Sequence, residues 1–263
     1  MRPALLGAAL AAGAAGCSAL PPGQLPVAQG LQPRFPDPEP LHLQPTRHFI
    51  VRAGDPEVAR RASTLAEEAY RRIMAHTGLW SFRPRGLYPI VVYRDQEEFL
   101  SKTGQPAWSG GVAVGHAIFT FPGEQLRDTV THEVSHLVVH EYVGPGTPRW
   151  LNEGLAVHEE IEASPPEVRE PRRKTLQEAR DRPMTFSAMA GFEPSTEKDR
   201  LVHRWYLQSA SVAAFLIERG GTGSVARFLQ VLRSGASVDQ ALRQAFPTLC
   251  DDLESLERAW LRQ

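Results

Sequence analysis

The 263-residue sequence predicts an α+β fold, a small N-terminal lobe of strands and helices followed by a helical C-terminal lobe. Three observations predict it. Short runs rich in β-branched and aromatic residues, bounded by Gly and Pro, are confined to the stretch before about residue 125. Helical spacing of apolar residues dominates after that point. Between the two lies Leu126 to Val143, whose apolar residues at 126, 130, 134, 137 and 138 form one helical stripe.

The elements follow in order. The folded part is expected to begin near Thr46, with a lobe spanning about 46–125. His48 to Ala53 alternates weakly and reads as a strand, Pro56 to His76 as an amphipathic helix, and Leu87 to Tyr93 as a β-rich run. Asp95 to Lys102 reads as a short capped helix, and Gly111 to Phe121 as a glycine-interrupted strand. The helix from Leu126 is expected to be largely buried and to stop at Gly144-Pro145-Gly146, Gly taking the left-handed cap and Pro refusing continuation. Thr147-Pro148 reads as a restart, a hydroxyl N-cap with Pro at the first helical position. The paired helices cover about 124–162. Residues 164–200 are proline-rich and charged and read as a loop, a partial lid or surface filler. Segments around 204–219, 222–233, 237–245 and 248–262 read as a helical lobe, about 201–263.

The chemistry concentrates in His132-Glu133-Val134-Ser135-His136 and Trp150-Leu151-Asn152-Glu153-Gly154-Leu155. Residues four apart on a helix lie about 40° apart around the axis and about 6 Å along it, so His132 and His136 can close on one ion. Glu133 points to the neighbouring flank, where it reaches water beside the ion as a general base. Glu153, in the second turn of the next helix, can present a third ligand. H-E-x-x-H alone is a weak signal, and the competing reading is a buried helix whose histidines only hydrogen-bond. His140 is a poor third ligand, about 12 Å along the axis and about 80° around it from His132. A metzincin pattern is excluded because its later Gly and His positions hold Val139 and Tyr142.

The run H-E-V-S-H-L-V-V-H followed by P-R-W-L-N-E-G-L-A-V resembles the peptidase MA-like domain of the gluzincin metallopeptidases, distant relatives of thermolysin and the zinc aminopeptidases. Trp205 to Ala210, on a helix ending at Gly220, is similar to the family's later helix, so the resemblance covers roughly residues 46–263. It implies zinc held by His132, His136 and Glu153, with Glu133 as base. It also implies an oxyanion donor on the later helix, Tyr206 or His203, although a core tyrosine is an equally natural reading of Tyr206. One departure is Val157, where the thermolysin pattern has an aspartate that orients a histidine. Glu159 or Glu160 can substitute for it, or form a solvated helix face. An edge strand that binds substrate backbone is implied for about Gly111 to Ala117.

The expected reaction is hydrolysis of a peptide bond in a peptide or protein substrate. Zinc keeps its fourth position for water and lowers that water's pKa towards ~7, and Glu133 passes the proton to the leaving amine. The alternative is a zinc-bearing envelope lipoprotein with a binding or scaffold role and no proteolysis.

The N-terminus reads as an address. Met1-Arg2, the apolar run Ala4 to Ala12 and the small residues before Cys17 resemble a bacterial lipoprotein signal, residues 1–16, with acylation at Cys17. Residues 17–45 then form a tether, with eight prolines after Ser18. The resemblance implies the cell envelope, anchored by lipid, with Ser18 favouring the outer membrane facing the periplasm. Cys250 is then left without a disulfide partner and reads as a small buried hydrophobe. A net charge of −1 and a pI near 6.8 carry no electrostatic footprint for nucleic acid.

Overall fold

A computed structural model describes residues 35–194 and 200–263. The expected signal peptide, Cys17 and most of the tether lie outside the described residues. The architecture is α+β. In chain order the elements are β1 (His42–Pro45), β2 (Phe49–Ala53), α1 (Pro56–Thr77), β3 (Tyr88–Val92), α2 (Gln96–Thr103), β4 (Gly111–Val114), β5 (Ala117–Thr120), α3 (Leu126–Val143) and α4 (Arg149–Ala163). There follow α5 (Pro166–Glu178), α6 (Phe186–Gly191), α7 (Arg200–Arg233), α8 (Val238–Ala245) and α9 (Leu253–Leu261). The chain divides into two compact units, one running to Arg71 and resuming at Arg83–Leu137, the other made of Arg72–Phe82 and Val138–Gln263. The division falls inside α1 and inside α3.

The first unit contains a mixed five-stranded sheet in the order β1-β2-β3-β5-β4. β3 pairs in parallel with β2 and β5, while β1 and β4 are antiparallel at the two edges. All five residues of β3 are buried, as a central strand covered on both faces requires. β2 keeps the alternation seen in its sequence, with Phe49, Val51 and Ala53 fully buried. α2 begins as the sequence predicts, the Asp95 carboxylate accepting from Glu98 N at 2.9 Å, and ends on Gly104 at φ 67°. Val91, Tyr93, Phe99, Val112 and Phe119 close a core over this part of the sheet.

Two expectations for this unit are corrected. The fold starts before Thr46: β1 pairs with β2, Phe35 packs edge-on against Phe119 at 4.9 Å, and Asp37 pairs with Arg52. Proline content masked this segment, but proline excludes a residue only from central strands, and β1 is an edge. Gly111 to Phe121 is a hairpin, not one strand, because Gly115 at φ 64° turns the chain between β4 and β5.

The second unit is helical. α4 lies so close to α7 that a Cβ at Gly154 would overlap the Ser209 carbonyl, with Ser209 C only 2.7 Å away. α7 is interrupted at Gly221, at φ 73°, near the break expected between 219 and 222. Large side chains knit the rest: Trp205 Nε1 donates to Met189 O at 2.9 Å, and Trp260 Nε1 to Ser211 Oγ at 3.1 Å. Residues 164–200, read as loop or lid, contain α5 and α6. The prolines that argued against helix there stand at its start, Pro165 as N-cap and Pro166 in the first turn, where no amide is needed. Only Pro171 lies inside α5. Cys250 is buried and free, and burial, helped by Asp251 and Asp252, pushes its thiol pKa up to about 12. Among the described residues, no helix is long and apolar enough to cross a membrane.

Candidate metal centre

α3 carries its apolar stripe as expected, with Leu126, Val130, Val134, Leu137 and Val138 all buried. The stripe is not the only buried face, since every residue from 130 to 139 is buried and the motif lies inside with it. His132 and His136 lie one turn apart, ring centroids at 4.6 Å and planes at 87°. His132 and Glu133 are each 2 % exposed and His136 is 8 % exposed, an unusual density of titratable groups inside a helix.

The helix stops where glycine permits. Gly144 takes φ 90°, and its amide donates to His140 O at 2.8 Å. The restart differs from the expected cap. Pro148 is the N-cap of α4, its carbonyl accepting from Leu151 and Asn152, and the Thr147 hydroxyl turns back to donate to Gly144 O at 2.9 Å. Thr147 therefore closes the inter-helix turn, and the N-cap position of α4 makes no side-chain cap bond. Trp150, Leu151 and Leu155 are buried around Glu153, which is itself 3 % exposed.

His132, His136 and Glu153 each offer one ligand atom, and these atoms all lie within 4.8 Å of one another. Two imidazoles and one carboxylate, all buried, are a donor set that could hold a metal ion. A profile of the peptidase MA superfamily matches residues 65–263, a stretch that includes all of these residues.

The chain belongs to the peptidase MA superfamily.

No curated protein matches it. Within this peptidase MA domain the remaining expected residues take the following places. Val157 is buried, so the position that is acidic in thermolysin is apolar core here. Glu159 and Glu160 do not form a solvated face, since each is only 1 % exposed. Glu159 accepts from Arg72 Nε at 3.1 Å and bonds His76 Nδ1 at 2.6 Å, and Glu160 accepts from Arg172 Nη2 at 3.1 Å. Among the described residues two groups of side chains could hold a metal, and His140 belongs to neither. Tyr206 lies on α7, buried and edge-on to Trp205 at 5.0 Å, one turn before the Ser209 carbonyl that faces Gly154. His203 is half-buried, and loss of solvent lowers its pKa below the usual histidine range.

The second such group in this peptidase MA domain is His76, His158 and Glu159, which the sequence reading did not single out. Burial holds His158 below the ordinary histidine pKa. For His76 burial acts in the same direction, but the bond and charge of Glu159 outweigh it and raise the value.

Proposed function

We propose that the chain is a zinc-dependent metallopeptidase, with His132, His136 and Glu153 as the zinc ligands and Glu133 as general base. One observation carries the reading: three buried donors of the correct chemistry lie within 4.8 Å of one another, and a buried carboxylate adjoins the first of them in sequence. Membership of the peptidase MA superfamily over residues 65–263 supports it.

Zinc bound there would supply Lewis acidity, polarising the scissile carbonyl and bringing the pKa of water towards ~7. Glu133, projecting from α3 beside His132, takes the proton of the attacking water and hands it to the leaving amine nitrogen. Its seclusion from bulk solvent keeps that proton from exchanging away and strengthens its interaction with developing charge. Tyr206, through its hydroxyl, or His203 supplies a hydrogen bond to the carbonyl oxygen as it becomes negative. β4 offers a free edge for substrate backbone. Among the described residues it pairs on one side only, with β5, and Gly111 lets it approach Thr129, one turn before the motif on α3.

The test is cleavage of a peptide library together with metal analysis. Wild-type protein is expected to cut at defined bonds, and His136→Ala to lose one equivalent of zinc and all cleavage. Zinc binding without any cleavage would favour the scaffold alternative, and undiminished zinc in His136→Ala would remove the ligand assignment.

Independently of the metal site, we propose from the lipoprotein-like N-terminal sequence that the protein is held in the bacterial cell envelope by a lipid on Cys17. Full-length protein is then expected to partition with membranes, and Cys17→Ser to release it. Membrane association that survives Cys17→Ser would end the lipoprotein proposal and leave the metal site untouched.

A further inference from the structure

His76, His158 and Glu159 form a second group of potential metal ligands, in the second unit alone. His76 comes from the last turns of α1, and His158 and Glu159 are consecutive on α4. One ligand atom from each lies within 4.8 Å of the other two. The two rings face each other with centroids 5.3 Å apart at 59°. Glu159 is 1 % exposed and His158 6 %, so neither belongs to a solvated surface where acidic groups gather by chance.

Arg72 occupies one oxygen of Glu159, Oε2, and Oε1 faces His76. A buried carboxylate tolerates loss of water only when its charge is matched, and here the matching groups come from a segment more than 80 residues away. His76 keeps 27 % of its side chain exposed, which leaves a path by which an ion can enter and by which water can complete its coordination. Imidazole nitrogens with one carboxylate select a borderline divalent cation such as zinc, while calcium and magnesium require sets made mostly of oxygen.

We propose that His76, His158 and Glu159 bind a second divalent transition ion of the zinc type, which clamps the end of α1 to α4. Its role is structural. Arg72–Phe82 is separated in sequence from the rest of its unit, which resumes at Val138, and an ion that binds only the folded arrangement stabilises that long-range contact by its binding free energy. The ion pairs of Arg72 and His76 with Glu159 hold the same elements when metal is absent.

The experiment titrates zinc chloride into full-length protein stripped with chelator, and counts bound ions in wild type, His76→Gln, His158→Asn, His136→Ala and the His136→Ala/His76→Gln double variant, with circular dichroism reporting the fold. Two ions per wild-type chain, one in each folded single variant and none in the double variant are expected. Zinc should also raise the melting temperature of His136→Ala and leave that of the double variant unchanged. The proposal is overturned if His76→Gln and His158→Asn both fold and keep the wild-type count. It is overturned equally if His136→Ala binds no zinc. Because His76 is partly exposed, its glutamine variant tests the idea without emptying the core. A count that falls in His76→Gln but not in His136→Ala would sustain this site while removing the other.

Discussion

Glu133→Gln is expected to keep its fold and its zinc and to lose cleavage by ~10²- to 10⁴-fold, the usual contribution of a positioned general base. Glutamine preserves the shape of the side chain and an oxygen that accepts hydrogen bonds, so the buried space beside His132 stays filled. It removes only the proton acceptor. The loss should therefore appear in kcat and equally in kcat/KM, since the interaction removed exists in the transition state and not in the bound substrate. Glu153→Gln supplies the contrast, because a neutral amide is a poorer zinc ligand than a carboxylate and metal affinity should fall with activity. Side-by-side metal analysis and steady-state kinetics decide between them. Wild-type rates in Glu133→Gln, or zinc loss in that variant alone, would reverse the roles given to the two carboxylates.

Gly154→Ala should have the second large effect, a destabilisation of about 1–3 kcal/mol from overpacking. The new methyl group would meet backbone, the Ser209 carbonyl with its carbon at 2.7 Å, and not a side chain able to rotate away. α4 and α7 must then separate, and the adjacent Glu153 moves with α4. Zinc affinity is expected to weaken together with thermal stability, a link that an effect on helix propensity alone would not produce. Alanine is the better helix former, so an isolated α4 would gain from the change. Gly146→Ala is the matched control: nothing lies within 4 Å of a Cβ there, and stability should stay the same or rise slightly. An unaltered melting temperature in Gly154→Ala would mean that the α4–α7 approach is looser than described.

Much of the first unit and the H-E-x-x-H motif could be read directly because the signals are local. H-E-x-x-H needs only helix geometry, and the ends of α3 are written in its stripe and in Gly144. The alternation of β2 and the Asp95 and Gly104 caps of α2 are equally local. What escaped depends on distant partners. Glu159 and Glu160 look like a charged surface until Arg72, His76 and Arg172 arrive from other helices to neutralise them. β1 is hidden by prolines and exists because β2 offers it an edge. Thr147 had the right chemistry for a cap, but its hydroxyl found Gly144 O first. In the hairpin of β4 and β5 the decisive residue, Gly115, reads equally well as an irregularity within one strand.

Cys250 has a practical consequence for spectroscopy. Its thiol, about 12 in pKa and enclosed beyond α8, holds almost no thiolate at neutral pH, and the thiolate is the species that reacts with alkylating dyes. A chain begun at residue 35 retains this cysteine and no other. Folded protein of that length should stay dark to maleimide reagents, so a single cysteine introduced on the surface, for instance at exposed Ser234, would carry a fluorophore or spin label at one defined position against a silent background.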